Sequence, residues 1–201
     1  MVKRGELLQK TINLCRKAIT DGMDCLREGK DDEKPALGYW GRSLGDIAQE
    51  KIQWLVEQGR VDVDGYLEVK EMLEEQLGFM NEEAIYKKCP DGRPLILASL
   101  AGVCGSIYRQ DPDNNTEYFD EGIKRAKEVL DIIRIGVANV PFAERSARNT
   151  LSKLYLVAFE RSGKLDDLQK ALNETTKALN SQNPQQLFSP YGKGDIKFHS
   201  S

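Results

Sequence analysis

"YFDEGIKRAKEVL" (residues 118–130) and "DLQKALNETTKAL" (residues 167–179) share almost no letters, yet they share an outline. Counting from Phe119 and from Leu168, a small residue stands at +3 (Gly122, Ala171), an apolar one at +4 (Ile123, Leu172) and a leucine at +11 (Leu130, Leu179). Such offsets return to one side of an α-helix, and a small residue there lets a second helix approach closely. The outline recurs from Tyr66 through β-branched Val69 to Leu77. A longer stretch precedes each copy with a pattern of its own: Ile47-Ala48, Lys51, Trp54-Leu55; Leu100-Ala101, Cys104, Ile107-Tyr108; Leu151-Ser152, Tyr155, Ala158-Phe159. Three pairs of one design predict antiparallel helical hairpins. No pair alone can bury both its faces, so pairs of this kind stack.

Helical periodicity extends to the rest of the chain, and strand-like alternation never lasts. Leu8, Ile12, Cys15, Ile19 and Leu26 form one stripe of a helix over 6–28. Further helices are expected near 37–58, 65–78, 95–110, 116–135, 143–161 and 165–181, with a short piece at 80–88. The punctuation comes from "GKDDEKP" (29–35), "CPDGRP" (89–94), "DPDNNT" (111–116) and "SGKLDD" (162–167). The expected fold class is all-α, a short stack of helical hairpins, with an irregular helical bundle as the alternative. Residues 1–181 form the domain, with an N-terminal helix and linker (1–35) and helix pairs at 36–80, 94–135 and 141–181. A tail rich in Pro, Gly, Ser and Gln follows at 182–201.

The totals narrow the function. The 201 residues are 40% hydrophobic and 30% charged, with a net charge of −3. Charges of both signs are mixed along the chain, and no basic stripe suits the phosphates of a nucleic acid. No apolar run approaches the length of a membrane span, and "MVKRGELLQK" has no signal-peptide core. Four cysteines (Cys15, Cys25, Cys89, Cys104) include no C-x-x-C, and the one histidine is His199. Zinc finds no familiar ligand set there, and Cys15 and Cys104 read as small core hydrophobes in a reduced, cytoplasmic protein.

Chemistry-bearing motifs give way to structural readings. Asp111, Asp113 and Asn115 stand at the first three ligand positions of a calcium loop. Thr116 replaces the required glycine, and Gly122 stands where a bidentate glutamate belongs. Acids that cap helices in a turn account for the segment better. "GVCGSIY" around Cys104 has no preceding strand and no partner histidine for a nucleophile elbow. No phosphate-binding G-x-x-x-x-G-K-[ST] occurs. Neither a catalytic residue nor a cofactor is expected.

The hairpin outline resembles a known family. "FDEGIKRAKEVL" looks like the second helix of a tetratricopeptide repeat, with Phe119, Gly122, Val129 and Leu130 in its aromatic, small, small and leucine positions. Residues 155–184 are similar to the long variants in which an E-R-x-G-x-L-x-D-L turn joins the helices. Glu160, Arg161, Gly163, Leu165, Asp167 and Leu168 match that turn. The resemblance covers 145–184 well, 95–133 moderately and 40–78 weakly. The period departs from the family's: Ile47, Leu100 and Leu151 are 53 and 51 residues apart, against about 34 in the family.

The resemblance implies a protein–protein interaction module or adaptor that binds a peptide segment or partner protein along a groove. On the family's outline that groove carries Arg42, Gln49, Gln53, Ser99, Gly102, Asn149 and Lys153. These groups suit a peptide of some acidic character. Lys153 and Asn149 alone do not reproduce the clamp with which the family grips a free C-terminus. Two other readings remain: an obligate helical subunit of a larger assembly, and a helical enzyme or ligand carrier. Self-association stays open. Ala98, Gly102, Gly105 and Ser106 cluster on one helix, where they serve either close helix approach or the floor of such a groove. Leu187, Phe188, Tyr191, Ile196 and Phe198 in the tail make it either a latch over the last hairpin or a partner motif.

Overall fold

The periodicity of the sequence is realised as helix throughout the described chain. The computed structural model describes residues 2–28, 43, 47, 50, 51, 54, 58, 63–81, 87, 90–138 and 140–181, and no strand occurs among them. The helices are α1 (Val2–Arg27), α2 (Val63–Met80), α3 (Gly92–Gln110), α4 (Thr116–Arg134), α5 (Pro141–Ser162) and α6 (Leu165–Asn180). Ser43, Ile47, Glu50, Lys51 and Trp54 are also helical, and the Gln58 N–H donates to the Trp54 carbonyl. The remainder of the helix expected near 37–58 lies outside the described residues, as do the 29–35 linker, the tail and, Lys87 apart, residues 82–88.

Local chemistry sets the boundaries. α3 begins at Gly92, ahead of the expected start, and takes in Pro94. In the first turn a proline forfeits no helical hydrogen bond, so the turn signal of "CPDGRP" and the helix overlap. Pro141 opens α5 for the same reason. α5 stops at Gly163, whose φ of 69° is left-handed and whose N–H donates to the Phe159 carbonyl at 2.8 Å. Glycine enters that conformation without steric cost, which is the physical content of the E-R-x-G turn. Between α3 and α4, the Asp111 carboxylate accepts the N–H groups of Asp113 and Asn114 at 3.3 Å each and the Asn114 side-chain amide at 2.6 Å. These bonds, that of the Asn114 side chain foremost, hold the Asp111 carboxyl below its usual range. Of the acids that outline a calcium loop, Asp111 is thus spent on building a turn, and Asp113 accepts a hydrogen bond from Arg161 of α5.

The helices then pack by size complementarity. α3 touches α2, α4 and α5, and α5 touches α3, α4 and α6. One apolar cluster runs through them from Ile12 of α1 by way of Leu73, Leu97, Leu100 and Val129 to Leu151 of α5. At Gly122, a methyl group would meet Leu154 Cδ1 at 3.0 Å, Cys104 Cβ at 3.4 Å and the Ala101 carbonyl at 3.5 Å. At Gly105 of α3 it would meet Leu154 Cδ2 at 3.6 Å. Leu154 is therefore a knob of α5 seated between two glycines, one on α3 and one on α4. The small residue of the +3 position does what its spacing predicts.

Ionic contacts finish the edges. Lys51, only 9% exposed, reaches Glu68 of α2 at 2.5 Å and Gln9 of α1 at 3.3 Å. α1 also lies so close to Trp54 that a methyl on Gly5 would approach its ring to 2.6 Å. Lys70 of α2 pairs with Glu74 at 2.7 Å and with Glu121 of α4 at 3.3 Å. Burial opposes that ammonium's charge and the two carboxylates outweigh it, so its pKa stands above the ordinary lysine value. α6 buries chiefly Ala171 and Ala178. Arg148 of α5 fixes it by bonding Glu144 and Glu174, each at 2.9 Å.

Candidate functional site

Among the described residues, α3 is buried along most of its surface and leaves one line of side chains less covered. Buried residues dominate its sequence, whereas Leu95, Ser99, Gly102 and Ser106 remain half-buried and Arg109 is exposed. These five follow one another at intervals of four, three, four and three residues, which is one line along a helix. The small-residue cluster of α3 is thereby divided. Ala98 and Gly105 are buried against other helices, while Gly102 and Ser106 lie on the open line.

Gly102 differs from its neighbours in what surrounds it. Among the described residues, a methyl there would have Thr150 Oγ1 at 4.0 Å as its nearest contact, so their packing does not require glycine at this position. A helical glycine still costs roughly 0.5–1 kcal/mol against alanine. At Gly102 the line carries no side chain, and Thr150 of α5 borders it.

The chemistry of the line follows from its hydroxyls. Ser99 Oγ donates to the Leu95 carbonyl at 3.1 Å, and Ser106 Oγ donates to the Gly102 carbonyl at 3.0 Å. Each hydroxyl has thus used its one donor and keeps acceptor capacity for an incoming N–H. Arg109 closes one end, its guanidinium bonding the Gly105 carbonyl and Ser106 Oγ at 3.3 Å each. Asn149 and Lys153 flank Thr150 on α5, and both are exposed. A row of acceptors therefore runs beside two donors, one of them cationic.

Of the expected groove residues, Ser99 and Gly102 lie half-buried on α3, and Asn149 and Lys153 are exposed on α5 to either side of Thr150, whose hydroxyl lies 4.0 Å from where a methyl on Gly102 would stand. Arg42, Gln49 and Gln53 lie outside the described residues. Ser106, one of the small residues offered for a groove floor, belongs to the same line, as does Arg109, which was not among the expected residues. Continuing the step from Ser99 to Gly102 by four and then three residues would have found both.

Elsewhere the polar groups serve packing or solvation. Cys104 is fully buried, and burial first and the nearby Glu121 second push its thiol up to about 12. It is a core residue, as its apolar surroundings predict. A shallow depression on α4 is lined by Asp120, Ile123, Lys124, Lys127, Glu128 and Asp131, charges of both signs on a single helix. No group of three or more metal-ligating side chains occurs among the described residues, and none of their helices is long and apolar enough to cross a membrane. No protein-family model matches the chain, and neither a curated protein nor a solved structure matches it.

Proposed function

We propose that the protein is a non-catalytic interaction module that binds a peptide segment of a partner protein along the line from Leu95 to Arg109, beside Asn149 and Lys153. The observation that carries this reading is the half-buried helix surface at Gly102, which carries no side chain. The helix forgoes alanine there although a methyl group would fit, while glycine is needed for packing at Gly122. Helix surface free of a side chain, next to hydroxyl acceptors and an exposed amide, suits another main chain, whose N–H groups can donate to the Ser99 and Ser106 oxygens. Lys153 favours an acidic residue on the segment, with an attraction that weakens as salt rises.

The order of helix contacts supports the stacked-hairpin architecture that the tetratricopeptide resemblance implies. α3 and α5 stand at equivalent points of successive hairpins, touch each other, and each touches the second helix of its own pair. On this reading the bound segment crosses the first helices of successive pairs. Free Cys15, Cys25 and Cys104 fit a cytoplasmic protein kept reduced.

The test compares proteins recovered from the native cell by the wild type, by Asn149→Ala/Lys153→Ala and by Lys124→Ala, the last a surface control on α4. A partner retained by wild type and control and lost with the double variant is the expected result. Equal recovery of the same partner by all three removes the α3–α5 line from its binding.

A further inference from the structure

The last hairpin leaves an apolar stripe uncovered. Leu165, Leu172 and Leu179 of α6 are 74%, 54% and 61% exposed. They recur every seven residues, with half-buried Leu168 between them, so they form one line on the helix. Ala171 and Ala178 occupy a neighbouring line and face the core. The hydroxyls of Ser152 on α5 and Thr175 on α6 lie 2.6 Å apart, and Lys170 stands over the Tyr155 ring at 5.7 Å. That antiparallel pairing sets exposed Leu156, one turn beyond Ser152, beside Leu172 and Leu168. The result is an apolar trough between α5 and α6 that adjoins Asn149 and Lys153, which lie seven and three residues before Leu156 on α5.

We propose that residues 182–201 of the same chain occupy this trough. α6 closes at Ser181, whose hydroxyl donates to the Ala178 carbonyl at 3.0 Å, two residues after the last exposed leucine. The segment that follows carries Leu187, Phe188, Tyr191, Ile196 and Phe198 among Pro, Gly, Gln and Ser. Its reach is sufficient. Leu172 lies about 10 Å back along the helix axis from Leu179. Residues 182–187 span up to about 20 Å when extended. Leu187 and Phe188 can therefore meet Leu172, and the later apolar residues can continue toward Leu165.

Two further considerations favour this occupant over a second copy. The exposed parts of the leucines amount to a few hundred Å², well short of the roughly 800 Å² that each partner buries in a stable dimer. A tethered segment needs far less area, because a short linker keeps it at about millimolar effective concentration. The tail supplies aromatic rings for leucines that otherwise face water, and α6, fixed by alanines and a few ion pairs, gains an apolar cover.

Amide hydrogen exchange on the full chain tests the assignment. Leu187→Ser, Phe188→Ser and Tyr191→Ser are introduced together, outside the α1–α5 core, so the fold is retained. Exchange across 165–180 should accelerate about tenfold or more while 92–134 is unchanged, because local opening of α6 becomes easier. Leu172→Asp in the same chain should produce the same acceleration, and combining it with the tail changes should add little. Should Leu172→Asp unfold the hairpin, the tail variant alone decides. Wild-type exchange rates over 165–180 in the tail variant would overturn the proposal. So would protection that grows with protein concentration and vanishes with Leu172→Asp, which would mark a second copy as the occupant.

Discussion

Alanine at Gly122 and alanine at Gly102 are the same chemical change in adjacent helices, and the structure assigns them opposite signs. In a helix interior the methyl group stabilises by roughly 0.5–1 kcal/mol through the backbone entropy of the unfolded chain. At Gly102 no described residue opposes that gain, since the nearest of their atoms to the new methyl is Thr150 Oγ1 at 4.0 Å. At Gly122 the methyl meets Leu154 Cδ1 at 3.0 Å and the Ala101 carbonyl at 3.5 Å. Leu154 cannot simply swing away, because its other methyl lies against Gly105. Overpacking of this kind costs about 1–3 kcal/mol, leaving Gly122→Ala destabilised by roughly 0.5–2 kcal/mol once the helical gain is deducted. Urea unfolding at constant m-value should therefore move the midpoint up for Gly102→Ala and down for Gly122→Ala. Leu154→Ala alone should cost about 2–5 kcal/mol. Combined with Gly122→Ala it should cost distinctly less than the sum, since the two changes fill and empty one space. A Gly122→Ala protein as stable as Gly102→Ala would refute the knob between glycines.

The remaining predictions concern charge and the buried thiol. Arg148→Ala leaves the Glu144 and Glu174 carboxylates facing each other at the α5–α6 contact, where both are mostly covered. The expected loss is about 1–3 kcal/mol, and Arg148→Lys should restore only part of it, because an ammonium lacks the planar fork. Equal urea midpoints for wild type and Arg148→Ala would contradict this. The Cys104 thiol has a folded pKa of about 12, raised from 9.0 first by burial. Its contribution to stability is complete below pH 9 and declines as the pH rises from there toward 12. Cys104→Ala should flatten the fall in urea midpoint across that window, and an unchanged slope would count against it. In the native protein, iodoacetamide should modify the partly exposed Cys25 well before Cys104, as read by peptide mass spectrometry.

Much of the architecture could be read directly from spacing. Repeated offsets of three, four, seven and eleven residues define a helical face without reference to the rest of the protein, because the α-helix is a local periodic object. The turn glycine Gly163, the Asp111–Asn114 turn and the core positions of Cys15, Ile107 and Leu151 were legible for that reason. The start of α3 was less so, since Pro94 signals a turn and a first helical turn with equal force. The leucine at +11 carried an ambiguity of another kind. Leu77 is buried, whereas Leu179 in the matching place is exposed, because α2 has a following helix packed on it.

The glycines mark the limit most clearly. Gly102 and Gly105 stand three residues apart in one helix and look alike as letters. Only the position of α5 separates them, seating Leu154 against the second and leaving the first bare. The sequence by itself thus determined helix through the described residues and the turns between the helices, which depend on neighbours within a few positions. Which face of α3 stays open, and which leucines of α6 lack a cover, depend on the mutual placement of helices tens of residues apart. Tertiary packing alone decided them.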